Sequence, residues 1–320
     1  MPKDPNNPLG LPNGAPRPNP APKRPDPFAG AGKNVALVQL EGSIMPGGAI
    51  EYFKSNLLLE TAFQNPKIDS VMLYINSPGG SPTQSEMIAG RIRELSKKFN
   101  KPVVTVVGDM AASGGYWIAA AGDEIYVHKT SGAGSIGVVQ NAQGVVDKMK
   151  KEGVEDRTLY SGKNKVTNSP YKPVDPKERA NLLKKLQFLH HEFIDWVQER
   201  RGSKLKDSLI DKKNVLDSEL FSGEMWFGKQ AVEVGLADGI GSIHSVLEKK
   251  FGADAKLFGV GLVPGQGPVI FKMGASEDEL KTKTANDSNA EFNEISKQPK
   301  VKAKAEKKRI RVKAGSKPRI

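Results

Sequence analysis

The chain predicts an α/β fold, a mainly parallel sheet with helices on both faces. Three observations carry that expectation. Short apolar runs alternate with amphipathic segments from residue 35 to about residue 258. The runs Val71–Ile75 and Val103–Val107 are apolar at nearly every position, the pattern of strands buried on both sides. Both runs lead into tight glycine turns, Asn76-Ser77-Pro78-Gly79-Gly80-Ser81 and Ala111-Ala112-Ser113-Gly114-Gly115-Tyr116.

The elements follow in order. Val35–Leu40 reads as a strand and Ala49–Gln64 as a helix ended by Asn65-Pro66. Ser70–Ile75 is the next strand. Pro82–Lys98 is an amphipathic helix, with Met87, Ile88, Ile92 and Leu95 on one face. Val103–Val107 is a strand, followed by a helix of small residues over Ser113–Ala121. Glu124–Val127 and Ser135–Val139 read as short strands, Gly144–Lys151 as a helix and Asp156–Tyr160 as a strand. Pro176–Arg200 is a long helix. Gly228–Val234 and Ile243–Phe251 are short helices, and Lys256–Phe258 is a last strand. No internal repeat is visible.

Composition separates the ends from the body. Residues 1–33 are rich in Pro, Asn and Gly and are expected to be a disordered arm. The folded body is expected at 34–260, a polar linker at 261–296 and a disordered Lys/Arg-rich tail at 297–320. The tail holds eleven basic residues and one acid, Glu306, so it carries most of the formal net charge of +12. The body is close to neutral, which removes a broad electrostatic case for nucleic acid. A run such as Lys307-Lys308-Arg309 could touch anionic membrane or nucleic acid, but a solvated tail is the commoner reason for such a run. There are no cysteines, hence no disulfide or thiolate metal site. No apolar stretch reaches transmembrane length and the first 33 residues show no signal-peptide core. The expected location is cytoplasmic, at most peripheral to the membrane.

Ser113 is the focal residue. A serine at a strand-to-helix turn presents its hydroxyl, and a glycine turn beside it can aim backbone N–H groups at an oxyanion. The competing reading is a plain helix N-cap. The apolar strand before Ser113, the close-packing Ala119-Ala120-Ala121-Gly122 after it and the second glycine turn favour the nucleophile. A base is then required. The histidines, His128, His190, His191 and His244, lack turn chemistry that would hold an imidazole against a hydroxyl. The segment Ser161-Gly162-Lys163-Asn164-Lys165 supplies lysines instead. A lysine base must be neutral, so its pKa of about 10.4 must fall by roughly two to three units in a dry pocket.

These motifs resemble the signal peptide peptidase A family, peptidase family S49, on the Clp-peptidase/crotonase superfold. The resemblance spans roughly Val35 to Phe251. It rests on Glu41-Gly42-Ser43-Ile44, the two glycine turns, Gly134-Ser135-Ile136-Gly137-Val138, Ser161-Gly162-Lys163-Asn164-Lys165, and the late residues Ser222-Gly223, Trp226, Gly228, Ala231, Gly235-Leu236 and Asp238-Gly239. It implies a fold of repeated β-β-α units and a Ser/Lys dyad. On that pattern Ser113 is the nucleophile, Lys165 the base (Lys163 ranking below it), Gly80 and Gly114 the oxyanion hole, and Ser135 the residue that orients the lysine. A turn serine satisfying its own backbone is the plainer reading of Ser135.

The resemblance further implies a short, single-unit form that assembles as a ring or dome, with the dyad shared between protomers. The expected activity is ATP-independent endopeptidase cleavage of unfolded or apolar, signal-peptide-like peptides, with no cofactor and no metal. Two alternatives use the same superfold. One is a viral capsid-maturation protease. The other is a coenzyme A thioester enzyme, disfavoured because neither glycine loop holds a carboxylate.

Overall fold

The computed structural model describes residues 32–273 apart from Pro264 and Gln266. Most of the expected N-terminal arm, the linker beyond 273 and the basic tail lie outside the described residues.

Three parallel strands form the centre: β1 (Asn34–Glu41), β2 (Ser70–Ser77) and β3 (Val103–Ala112). Their side chains alternate between two faces. Val35, Leu37, Met72, Val104 and Val106 enter one apolar cluster. Ala36, Val38, Leu73, Ile75 and Val107 enter a larger one on the opposite face. Both clusters exclude water, which is why these strands are apolar throughout rather than alternating.

The larger cluster is roofed by helices. α1 (Tyr52–Gln64) contributes Leu59 and Phe63, and α2 (Pro82–Phe99) contributes Ile88, Ile92 and Leu95. α2 starts on Ser81, whose side chain accepts the Gln84 N–H, with Pro82 in the first turn; it stops at Asn100 in the left-handed region. The short α3 (Gly114–Ala119) is buried at every residue.

The sheet continues through β4 (Glu124–Val127) and β5 (Gly132–Gly134). α4 (Val146–Glu152) buries nothing, and α5 (Pro176–Arg201) packs Phe193, Ile194 and Val197 into the larger cluster. β6 (Met225–Phe227), α6 (Lys229–Glu233) and β7 (Gly239–Ile240) follow. α7 (Ile243–Phe251) covers the smaller cluster with Val246 and Phe251. β8 (Lys256–Val263) and β9 (Gly267–Lys272) close the described chain. The strand order is β6-β5-β3-β2-β1-β8-β9, with β4 beside β3 and β7 beside β4. β5/β6 and β8/β9 are antiparallel and the other pairs parallel.

The mainly parallel α/β architecture agrees with the expectation, and several elements differ in detail. Asp156–Tyr160 is not a strand: it finds no partner strand among the described residues, and Leu159 is 96% exposed. The strand expected at Ser135–Val139 ends at Gly134, because Ser135 has φ +51° and turns the chain out of the ladder. The helix expected from Ala49 starts at Tyr52, since Ile50 is held back in a bridge to Ile44. Sheet structure runs on to Lys272, past the expected body boundary at 260. Among the described residues no helix is long and apolar enough to cross a membrane.

Candidate active site

β3 forks the sheet. Its first half pairs with β4 through Val104–Val106, and its last residues pair with β5 through Met110–Ala112. The strand end that carries Ser113 therefore opens between two partners. Ser113 has φ +50° and ψ −123°, a backbone state that costs a non-glycine residue on the order of 1–3 kcal/mol. It is held there on both sides. Its N–H donates to Gly134 O at 2.8 Å, and its carbonyl accepts from Tyr116 N at 2.8 Å and Trp117 N at 3.0 Å. The hydroxyl does not cap the helix and takes no hydrogen-bond partner among the described residues. This is a presented serine rather than an N-cap.

The other glycine turn lies directly against it. Gly79 has φ +98° and Gly80 φ +147°. The turn is laced to Ile44, whose N–H donates to Gly79 O at 2.9 Å and whose carbonyl accepts from Ser81 N at 2.7 Å. A Cβ on Gly80 would stand 2.0 Å from Ile44 O, so only glycine fits. That lacing leaves the Gly80 N–H without an acceptor among the described residues, as is the Gly114 N–H at the first position of α3. The two amides are neighbours: the Cβ position of Gly114 lies 3.4 Å from Gly80 N. Two free, fixed N–H groups beside a free hydroxyl form a donor pair for an oxyanion.

A cavity of about 590 Å³ opens over this group. Ser113, Gly80, Gly114 and Ser135 all line it. Ser135 is placed by its own N–H, which donates to Glu224 O at 2.7 Å. Trp117 and Phe193, stacked with centroids 4.7 Å apart, and Val138 and Val139 give the cavity its apolar wall. Ser222 and Gly223 complete it. The apolar wall was not legible beforehand, because Trp117 and Phe193 come from helices far apart in the chain. Their one signal was apolar character on the faces of two segments read as helices.

Lys165 and Lys163 do not reach the cavity. Both are exposed on the Ser161–Lys165 loop, and neither lines the cavity. No histidine lines it either. His190 instead sets its Nε2 3.0 Å from Ile136 O behind the cavity wall, and burial pushes its pKa below the ordinary value.

Below α3 lies a buried polar cluster. Arg201 donates through Nε and Nη2 to Gly235 O at 3.1 and 2.8 Å and through Nη1 to Asp238 Oδ2 at 2.6 Å. Lys204 reaches Asp238 Oδ1 at 2.6 Å, and Ile125 N donates to Oδ2 at 2.8 Å. Burial pushes the Asp238 carboxyl up, but Arg201, Lys204 and the Ile125 amide together bring it below the usual range. Tyr116 donates its hydroxyl to Leu236 O at 2.8 Å, and burial raises its pKa.

The forked parallel sheet, the glycine turn and the serine at the strand end define a Clp-protease-like hydrolase fold, and the Clp protease family model matches residues 34–152. The peptidase family S49 model matches residues 96–256, half of the chain. The chain belongs to peptidase family S49, the signal peptide peptidase A family. Curated relatives agree in part by name. A protein of Brucella abortus named as a Na(+)/H(+) antiporter NhaA is 42% identical over 236 residues, 72% of this chain and 31% of that protein. Protease 4 of Haemophilus influenzae is 30% identical over 219 residues, 67% of this chain and 34% of its own. The chloroplastic serine protease SPPA of Arabidopsis thaliana is 27% identical over 229 residues, 69% of this chain and 32% of its own. The chain spans about a third of the length of each of these relatives.

Proposed function

We propose that this protein is an ATP-independent serine endopeptidase with a Ser113/Lys165 dyad, the lysine arriving from a neighbouring copy. The observation that carries the reading is the free Ser113 hydroxyl beside the unpaired Gly80 and Gly114 amides in one cavity. Exposed apolar residues around the lysine loop and on the first half of α5 support the second copy. They include Leu159, Tyr160, Val174, Leu183 and Phe188. Packing that arm against another protomer would cover these residues and give the amine the dry surroundings it needs.

The chemistry then follows. The neutral Lys165 amine takes the Ser113 proton, and Oγ attacks the peptide carbonyl carbon. The Gly80 and Gly114 N–H groups hold the oxyanion. The C–N bond breaks as the lysine ammonium returns its proton to the departing amine, leaving an acyl-serine. Water, deprotonated by the same lysine, releases the acyl group. The Trp117/Phe193 wall suits apolar side chains, consistent with unfolded or signal-peptide-like substrates.

Labelling with a fluorophosphonate, read by intact mass alongside native mass, tests the reading. The expected result is one adduct on Ser113, none in Ser113→Ala and slow labelling in Lys165→Ala. Peptide cleavage at the wild-type rate by Lys165→Ala would overturn the base assignment.

A further inference from the structure

α3 carries Ser113 at one end, and its other end is held in an unusual way. Six residues give a helix only about 9 Å long, too short for much of an internal ladder. Its last carbonyls would normally turn to water or backbone. Here the backbone closes Ile118 O and Ala119 O with Ala121 N and Gly122 N, and side chains from three other elements add bonds to the last turn and to the Ala120–Gly122 turn that follows it. Trp196 Nε1 donates to Trp117 O at 2.9 Å and Thr105 Oγ1 to Ala119 O at 3.1 Å. Arg200 donates through Nε to Ala120 O at 3.1 Å and through Nη2 to Gly122 O at 3.3 Å, spanning two carbonyls with one fork. Arg93 Nη1 donates to Ala121 O at 3.0 Å. Asp123 then fixes both guanidiniums, with Oδ1 2.8 Å from Arg93 and 3.5 Å from Arg200. Its Oδ2 accepts from Val103 N at 2.9 Å, tying the clamp to the first residue of β3. The strand that delivers Ser113 and the helix that follows it are thus locked to each other at the end remote from the chemistry.

We propose that Arg200 and Arg93 are positioning residues for the nucleophile, setting the axial place of α3 and so of Ser113 and the Gly114 amide. The proposal rests on the reading of Ser113 as nucleophile. Its physical basis is leverage. A helix this short has no length over which to absorb a slip, so a shift at Gly122 is transmitted to Gly114. Misplacement by about 1 Å at a reacting centre costs about 100-fold in rate. With Asp123 offsetting one of the two guanidiniums, the clamp leaves a net positive charge at the carbonyl end, which complements the peptide dipoles of α3. Lysine at position 200 would keep the charge but lose the fork that serves two carbonyls together.

The test is the second-order rate of fluorophosphonate labelling at Ser113, with kcat and KM for a peptide, in Arg200→Met, Arg200→Lys and Arg93→Met. Circular dichroism and native mass identify variants that fold and assemble. Arg93 is the more exposed of the two, so Arg93→Met decides if Arg200→Met does not fold. The expected result is a fall in labelling and kcat of about 10- to 100-fold with KM within about twofold, Arg200→Lys lying between methionine and wild type. Folded variants that label within about twofold of wild type would overturn the inference, and so would a loss carried by KM alone. Unlabelled wild type would remove the nucleophile reading and the inference together. Labelled wild type with unaffected variants removes the inference only.

Discussion

Gly79 packs directly against the turn that carries Ser113. A Cβ built on Gly79 would stand 2.8 Å from Ser113 Cβ, 2.8 Å from Ala112 O and 2.9 Å from Gly114 N. Gly79 also has φ +98°, a conformation that side chains resist. Gly79→Ala must therefore push the Gly79-Gly80 turn away from Ser113 or leave its φ. The expected outcome is a loss of about 1–3 kcal/mol in stability with at least about a tenfold fall in Ser113 labelling. Thermal melts and labelling rates on the same preparation check both. A variant with wild-type labelling would show that the two glycine turns need not touch for activity.

The proposed sharing of the dyad between two copies has its own signature. On the proposed mechanism Ser113→Ala and Lys165→Ala are each expected to be inactive alone, because one would lack the nucleophile and the other the base. Mixed and allowed to exchange subunits, they can form sites with an intact serine on one copy and an intact lysine on the next. Random equal mixing would restore about a quarter of the wild-type sites. Peptide turnover after co-refolding, compared with unmixed controls, measures this. No recovery despite proven subunit exchange would place both residues in one chain.

The buried pair Arg201–Asp238 is a stability element with a clear direction. Arg201 is 1% exposed, and Asp238 is its carboxylate partner. Asp238→Asn leaves a buried guanidinium without its counter-charge, an outcome that costs about 3–5 kcal/mol in such pairs. Urea denaturation at fixed protein concentration is the measurement. In wild type the same contribution depends on pH. The Asp238 pKa is lowered in the fold, so its stabilisation is complete above the ordinary value of 3.8 and is lost as pH falls through the lowered one. Asp238→Asn should therefore flatten the acid limb of the stability curve.

Much of the site was legible because glycine and buried strands leave strong marks. Val71–Ile75 and Val103–Val107 are apolar since both sheet faces are covered, and the turns after them admit only glycine at Gly79 and Gly80. Ser113, Gly80, Gly114 and Ser135 consequently meet in one cavity. What was not legible depends on long-range contact. β9 falls in the stretch read as a polar linker, because Gly267 and Pro268 open it, and it becomes a strand only by pairing with β8. Trp117 and Phe193 form one wall from helices about a third of the body apart in the chain. Val154, Leu159 and Tyr160 carry strand-like composition, yet they lie exposed with no partner strand among the described residues. Lys165 likewise lies exposed on its loop, away from the cavity that holds Ser113.

His190 offers a pH test away from the dyad. It sits on α5 behind the cavity wall, with Nε2 3.0 Å from Ile136 O and Ile136 next to Ser135. Burial lowers its pKa most, the neighbouring His191 lowers it further, and the Ile136 and Phe221 carbonyls oppose them. The net direction is down, so the unfolded chain takes up the proton more readily than the fold does. The stabilisation from neutral His190 is then complete above the ordinary value of 6.5 and is lost as pH falls through the depressed one. Glutamine can donate to Ile136 O without titrating. Melting temperatures measured at pH 7, 6 and 5 should fall more steeply for wild type than for His190→Gln, with the two curves closest at pH 7. Parallel curves across that range would mean that the protonation of His190 is the same in the folded and unfolded chain, and the burial argument would be wrong.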